Sequence, residues 1–349
     1  LTRVGVGLGS WNTWAGRAYH QDSAGNLSYI VSAGYERSEY TQYGNRDSWL
    51  QTVGAPDYEK TRLFGNLHYA FDRSDHTVSL FVHHSGQDGT MGRPNRDFQH
   101  RYDTLNLAYN NRFADDWTLQ FKLGERRYDR GFANDNYPTS LAFVRYETTR
   151  QVIRPMDLSL SYLHGGDSVL TFGADRQQVH YWTTNRNAAG ALARENDARS
   201  VSTGVFVQEK VQWNGWVLRA GLRRNTIDHE YALLGGGVPA VGSKSWHKNL
   251  WSLGLRYNVA PGLALYGNVG TSFMVPAAKQ IGGTVTAPGA SGELANPGLR
   301  PESGRGRDFG IDWQPVAVVN VGVRAFFNTI QDAIVTGVVN ATQTRSENA

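Results

Sequence analysis

The sequence predicts an all-β protein, a transmembrane antiparallel up-and-down β-barrel, and three observations lead there. Apolar and polar residues alternate with a period of two along much of the chain. Tight turns alternate with long polar connections. No run of about 20 consecutive apolar residues exists, which a helical span would need.

The alternation is clear from one end to the other. Leu27, Tyr29, Val31, Ala33 and Tyr35 face Ser28, Ser32, Gly34 and Glu36, with Ile30 the exception. Leu63, Leu67, Tyr69 and Phe71 repeat the pattern, as do Trp117, Leu119, Phe121 and Leu123. Trp216 to Leu222, Trp251 to Tyr257 and Val319 to Phe327 continue it. Successive strand side chains point to opposite faces, so each segment carries one apolar and one polar face. The mean hydropathy of −0.47 then fits a wet-lumened barrel.

Turn-like residues cluster at 22–25, 73–76, 114–116, 164–167, 214–215, 260–262 and 314–317. Polar stretches at 37–60, 85–100, 125–150, 183–199, 225–248 and 274–304 lie between them. In an up-and-down barrel this puts short turns on one rim and long loops on the other, as in bacterial outer membranes. A propeller or sandwich would be equally aromatic-rich but predicts no such alternation. Trp117, Trp213, Trp216 and Trp313 flank short turns, as an interfacial girdle requires. The count is about fifteen strands, whereas bacterial single-chain barrels have even numbers, so strands are expected beyond the C-terminal end.

The 349 residues include no Cys, which removes disulfide scaffolds and thiolate metal sites. A net charge of +4 from scattered Lys and Arg leaves no nucleic-acid footprint. Gly5 to Ser10 lacks the spacing and following helix of a phosphate loop. His83 and His84 would point to opposite faces and do not form a chelating pair. There is no G-x-S-x-G elbow, and Asp115–Asp116 reads as a solvated turn. Neither an enzyme nor a cofactor is expected.

The last third carries a family likeness. Phe206–Val207–Gln208–Glu209 with Gly221–Leu222–Arg223 resembles the paired mid-barrel strands of TonB-dependent outer-membrane receptors. Leu265–Tyr266–Gly267–Asn268 and then Ser272–Phe273–Met274–Val275–Pro276 resemble their strand entering a large outer loop. Asn296, Pro297, Leu299, Pro301 and Glu302 match their N-P-x-L-x-P-E run, followed by Asp308–Phe309–Gly310 and the segment from Asn328 to Ile334. Residues 1–200 agree in pattern rather than in motif.

The resemblance implies the barrel domain over residues 1–349, part of a barrel of about 22 strands with a plugged lumen. It implies a plug with its TonB box before Leu1, a first barrel strand near residues 4–10, and about seven strands after Ala349. The implied partners are outer-membrane lipid, the TonB complex through the plug, and a scarce nutrient, foremost a ferric siderophore. A passive porin-like channel, or an importer of cobalamin, haem or another metal chelate, remains the alternative; Met274 stands where haem importers carry Arg. The implied location is the outer membrane of a Gram-negative bacterium. Arg219, Arg223, Arg256, Asp308 and Arg324 are expected to line the lumen. The N-P-x-L-x-P-E run reads as structural, because its prolines fix the backbone. For ligand contact, loop aromatics and cations are the candidates: Trp49, Tyr58, Arg93, Arg96, Tyr137, Tyr181, Trp182 and Arg186. Such side chains suit planar, anionic ligands.

Overall fold

The structure, a computed structural model, describes residues 1–39, 52–72, 75–285 and 289–349. Its strands are β1 (Thr2–Gly9), β2 (Thr13–Ala24), β3 (Leu27–Glu39), β4 (Asp57–Ala70), β5 (His76–Thr90) and β6 (Asp97–Ala114). They continue as β7 (Trp117–Asp135), β8 (Phe143–His164), β9 (Ser168–Asn187), β10 (Leu192–Trp213), β11 (Trp216–Leu233), β12 (Ser243–Ala260) and β13 (Leu263–Met274). A short helix, α1 (Ala278–Gly282), precedes β14 (Gly292–Leu294), β15 (Glu302–Val316), β16 (Val319–Gln331), β17 (Ile334–Val338) and β18 (Gln343–Asn348). Fifteen strands form one sheet in chain order, β1 to β13 and then β15 and β16. A second sheet has the order β14-β18-β17. No helix among the described residues is long and apolar enough to cross a membrane.

The chain divides into two compact units. The first comprises Leu1–Asn111, Lys122–Met156 and Gln178–Arg199. Its register lines up rows of side chains across β3, β4, β5 and β6. On one face the rows run Leu27–Tyr69–Val78–Tyr109, Tyr29–Leu67–Leu80–Leu107 and Val31–Gly65–Val82–Leu105. The next row, Ala33–Leu63–His84–Asp103, is mixed; Tyr35–Thr61–Gly86–Arg101 and Arg37–Glu59–Asp88–Gln99 are polar. The opposite face is mostly polar, as in Glu36–Lys60–Gln87–His100, with Ile30, Phe64 and Phe81 as apolar exceptions. The period of two thus sorts residues onto an apolar and a polar face.

The second unit comprises Arg112–Phe121, Asp157–Gln177 and Ser200–Ala349. Its apolar face carries Trp216–Tyr257, Leu218–Leu255, Ala220–Leu253 and Leu222–Trp251, after which Arg224 meets Asn249. Trp216 stacks on Tyr257 at 4.3 Å, and Trp117 stacks on Tyr162 at 4.7 Å, both beside short turns. The turn at 214–215 has φ of 44° at Asn214 and 81° at Gly215, positive values that glycine and asparagine tolerate and that match hairpin twist.

Many of these apolar side chains are exposed. Leu222 is 63% and Phe309 59% exposed. Among the described residues, fully buried hydrophobic side chains are few, and most lie near the end of β11, the start of β12 and the segment 275–301. A soluble fold would bury such faces; here they are exposed.

Two features depart from the sequence expectation. The long connections are shorter than the polar stretches, because β5 runs to Thr90 and β7 to Asp135 before breaking. Past the apolar rows both faces are wet, so alternation vanishes while the backbone still pairs. The β1–β2 connection is also a tight hairpin, with Trp11 at φ 57° and Asn12 at 51°.

Candidate ligand-binding site

In the first unit the polar face of β6 and β7 becomes aromatic beyond the level of the apolar rows. Phe98, His100 and Tyr102 alternate along β6, and Tyr128, Arg130 and Phe132 along β7. Tyr102 stacks on Tyr128 with ring centres 4.7 Å apart. His100 meets Phe132 edge-on at 5.4 Å and lies 5.9 Å from Phe98. The Arg130 guanidinium covers Phe132 at 4.2 Å. Burial, aided by the Arg130 charge, pulls the His100 pKa below the usual histidine range and favours the neutral ring. Tyr102 remains 47% exposed, so the wall presents ring surface to its surroundings. Rings and a guanidinium in this arrangement can stack on flat groups and hold anionic oxygens.

The sequence candidates are distributed differently. Tyr58 lies on the same polar face, its hydroxyl donating to Glu36 Oε1 at 2.5 Å. Arg93 is buried: its Nε donates to Asp135 Oδ2 at 2.7 Å, and its guanidinium lies 4.5 Å from the Tyr137 ring centre. Arg96 bonds the Asn134 side chain. Arg93, Arg96 and Tyr137 therefore form one knot joining residues 91–96 to the end of β7. Tyr181 and Trp182 point to opposite faces of β9; Trp182 packs on His180 at 4.4 Å. The Arg186 guanidinium lies 5.6 Å from the Tyr146 ring centre. Trp49 lies outside the described residues. The aromatic wall was missed, although the i, i+2, i+4 spacing of Phe98, His100 and Tyr102 marks one strand face.

In the second unit the family motif builds structure. Asn296 accepts from Gly298 N at 3.1 Å and donates to Ser346 O at 2.8 Å. Pro276 and Leu299 are buried, and Phe273 pairs with Ser303 across β13 and β15. Pro301 is buried beside Glu302, whose Oε1 accepts from Ile334 N at 2.6 Å. The Pro297 carbonyl accepts from Lys244 Nζ at 2.7 Å. This run thereby anchors β17 and β18 to the segment between β13 and β15. The polar face holds paired charges: Arg223 with Asp175 at 2.6 Å, Arg256 with Asp312 at 2.5 Å and Arg324 with Asp308 at 2.9 Å. Arg219 shares that face, opposite Gly254. Among the described residues no group of three or more His, Cys, Asp or Glu is arranged to hold a metal ion.

Comparison with known proteins agrees with this architecture. The family described as TonB dependent receptor-like, beta-barrel, matches residues 3–349. The copper transporter OprC superposes with a TM-score of 0.76 at 13% identity, over 99% of this chain and 55% of its own. The FrpB iron transporter from Neisseria meningitidis (F5-1 variant) gives 0.74 at 14% identity, over 100% and 58%. The ferric-catecholate import receptor Fiu from E. coli K12 gives 0.71 at 12% identity, over 99% and 60%. At such identities these likenesses bear on the fold, and the chain spans 55 to 60% of the length of these three relatives. No curated protein sequence matches. With two-faced strands, an up-and-down sheet and a family match over nearly its whole length, the chain belongs to the β-barrel family of TonB-dependent receptors, which are transporters rather than enzymes.

Proposed function

We propose that this chain is the barrel portion of a bacterial outer-membrane receptor that imports a scarce nutrient with energy supplied through TonB, and that the nutrient is a ferric siderophore. The single observation behind the ligand class is the aromatic wall of Phe98, His100, Tyr102, Tyr128 and Phe132, with Arg130 at 4.2 Å from Phe132. It lies past the apolar rows, on the polar face, where a ligand arriving from outside would first meet the bore. Its rings suit the aromatic or planar arms of a metal chelate, and Arg130 suits the chelate's negative charge. Tyr58 and Tyr181 are proposed as secondary contacts, and Arg93 as a support for them. A plug domain and further strands complete the receptor in this reading, and TonB acts through the plug.

The test uses the full reading frame in an outer membrane. Ferric catecholates and hydroxamates are titrated against the purified receptor by intrinsic fluorescence, and uptake of radioactive iron is followed with and without TonB. Tyr128→Ala is expected to weaken binding about tenfold, the loss of one good stacking contact. Uptake that persists unchanged without TonB would refute active import; unchanged affinity in Tyr128→Ala would remove the wall from the site.

A further inference from the structure

The apolar face of β3 to β6 is unevenly filled. In the row Val31–Gly65–Val82–Leu105, β4 contributes no side chain. A depression of about 600 Å³ opens there, floored by Val31, Leu63, Gly65, Val82 and Leu105. A methyl group on Gly65 would sit 2.9 Å from Val82 Cγ2, so the space exists because residue 65 is glycine. At its outer end stand His84, Asp103, Glu125 and Arg127.

Arg127 stands on that rim, and Arg154 and Arg150 lie beside it through carboxylate partners. Glu125 accepts from Arg127 Nε at 2.6 Å on one oxygen and from Arg154 Nε at 2.6 Å on the other. Asp129 holds Arg150 at 2.5 Å, and Asp103 holds His84 at 2.7 Å. The carboxylates are engaged in these pairs, while Arg127, Arg154 and Arg150 stay 58%, 59% and 55% exposed. An apolar slot headed by fixed, exposed guanidiniums combines two demands that one molecule meets, a hydrocarbon chain ending in phosphate. A free aqueous anion has no use for the slot. The slot also continues the apolar rows, the face that only a membrane would cover.

We propose that this groove binds an anionic lipid bearing a phosphate monoester, in the membrane leaflet on the long-connection side, its acyl chain over Gly65 and its phosphate on Arg127 and Arg154. The site rests on the membrane reading given above. The receptor from the full reading frame would be placed in phosphatidylcholine nanodiscs doped with bis-phosphorylated lipid A, and its retained lipid identified by native mass spectrometry. The wild type retains lipid A enriched about tenfold over its share of the bilayer, and Arg127→Ala/Arg154→Ala abolishes that enrichment. Gly65→Val, which fills the slot, weakens retention with the arginines intact; heat-modifiable electrophoretic migration checks that each variant is folded. Equal retention of phosphatidylcholine and lipid A, or enrichment that survives the arginine changes, overturns the site. Failure to enter the bilayer at all would instead overturn the membrane reading and the site with it.

Discussion

The Arg93 guanidinium and the Asp135 carboxylate lie 2.7 Å apart with side chains only 6% and 3% exposed. This ion pair ties the β5–β6 connection to the end of β7. Gly92 O, next in the chain, also accepts from Val53 N at 2.7 Å, so a third segment joins the knot. Removing one partner of a buried pair strands the other charge, at a cost of about 3–5 kcal/mol. Asp135→Ala should therefore release residues 91–96 to protease while leaving the barrel folded. Arg93→Met/Asp135→Leu should restore much of the resistance, because no buried charge remains. Equal cleavage of wild type and Asp135→Ala would show that the pair does not hold the loop.

Glu302 has a similar role at the other end of the chain. Its carboxylate accepts from Ile334 N, and Asn348 joins the same assembly by donating to Arg300 O at 2.9 Å and Asp332 O at 2.8 Å. Charge-assisted bonds of this kind contribute about 1.5–3 kcal/mol. Glu302→Ala is expected to speed hydrogen exchange through residues 334–348 by one to two orders of magnitude, or about 1.4 kcal/mol per tenfold. Glu302→Gln keeps an acceptor oxygen and should fall in between. Uniform exchange across all three proteins would contradict the anchoring role.

How far the sequence could be read follows from what each feature depends on. The strands Leu27–Glu39 and Trp216–Leu233 were legible because their apolar residues share one face and repeat every second position. The turn at Asn214–Gly215 was legible because its backbone restricts the choice of residues. The outer halves of β5 and β7 were not, since a strand wet on both faces carries no apolar signature. β17 and β18 were hidden because both are short, β18 is polar, and they are held by Asn296, Glu302 and Asn348 from the motif or the strands themselves. Arg93 looked like an available loop cation because Asp135 lies 42 residues away. The aromatic wall needs the β6–β7 register that sets Tyr102 against Tyr128, which local pattern does not reveal.

His229 should make the second unit sensitive to acid. It packs edge-on against Trp246 at 5.1 Å, and its Nδ1 lies 3.1 Å from the Tyr231 hydroxyl. Lys244 is opposite it across the β11–β12 pair, with its ammonium on the Pro297 carbonyl, and Asp228 is the acid whose charge acts on it. Burial lowers the His229 pKa and outweighs the opposing Asp228 charge. The folded value therefore lies below the unfolded one, near 6.5. The unfolded state takes up its proton first, so stability is present above about pH 6.5 and is lost as the pH falls toward the native value. Protease resistance of the 275–301 segment should drop between pH 7.5 and 5.5, and His229→Phe should flatten that dependence. A variant profile as steep as the wild type would assign the effect to another group.

Gly204 and Arg223 give the last prediction. Arg223 grips Asp175 with two nitrogens, at 2.6 and 2.8 Å, and Asn225 Oδ1 accepts from its Nε at 2.7 Å. A Cβ on residue 204 would overlap the Arg223 guanidinium. Gly204→Ala must therefore displace that side chain and break the bidentate pair, a strain of about 1–3 kcal/mol. In an Arg223→Ala background the methyl group has nothing to displace, and the same substitution should be close to neutral. The two changes are thus expected to be strongly non-additive when unfolding is followed by denaturant titration in detergent. Additive costs would mean that the guanidinium sidesteps the methyl group without surrendering Asp175, and that residue 204 is glycine for some other reason.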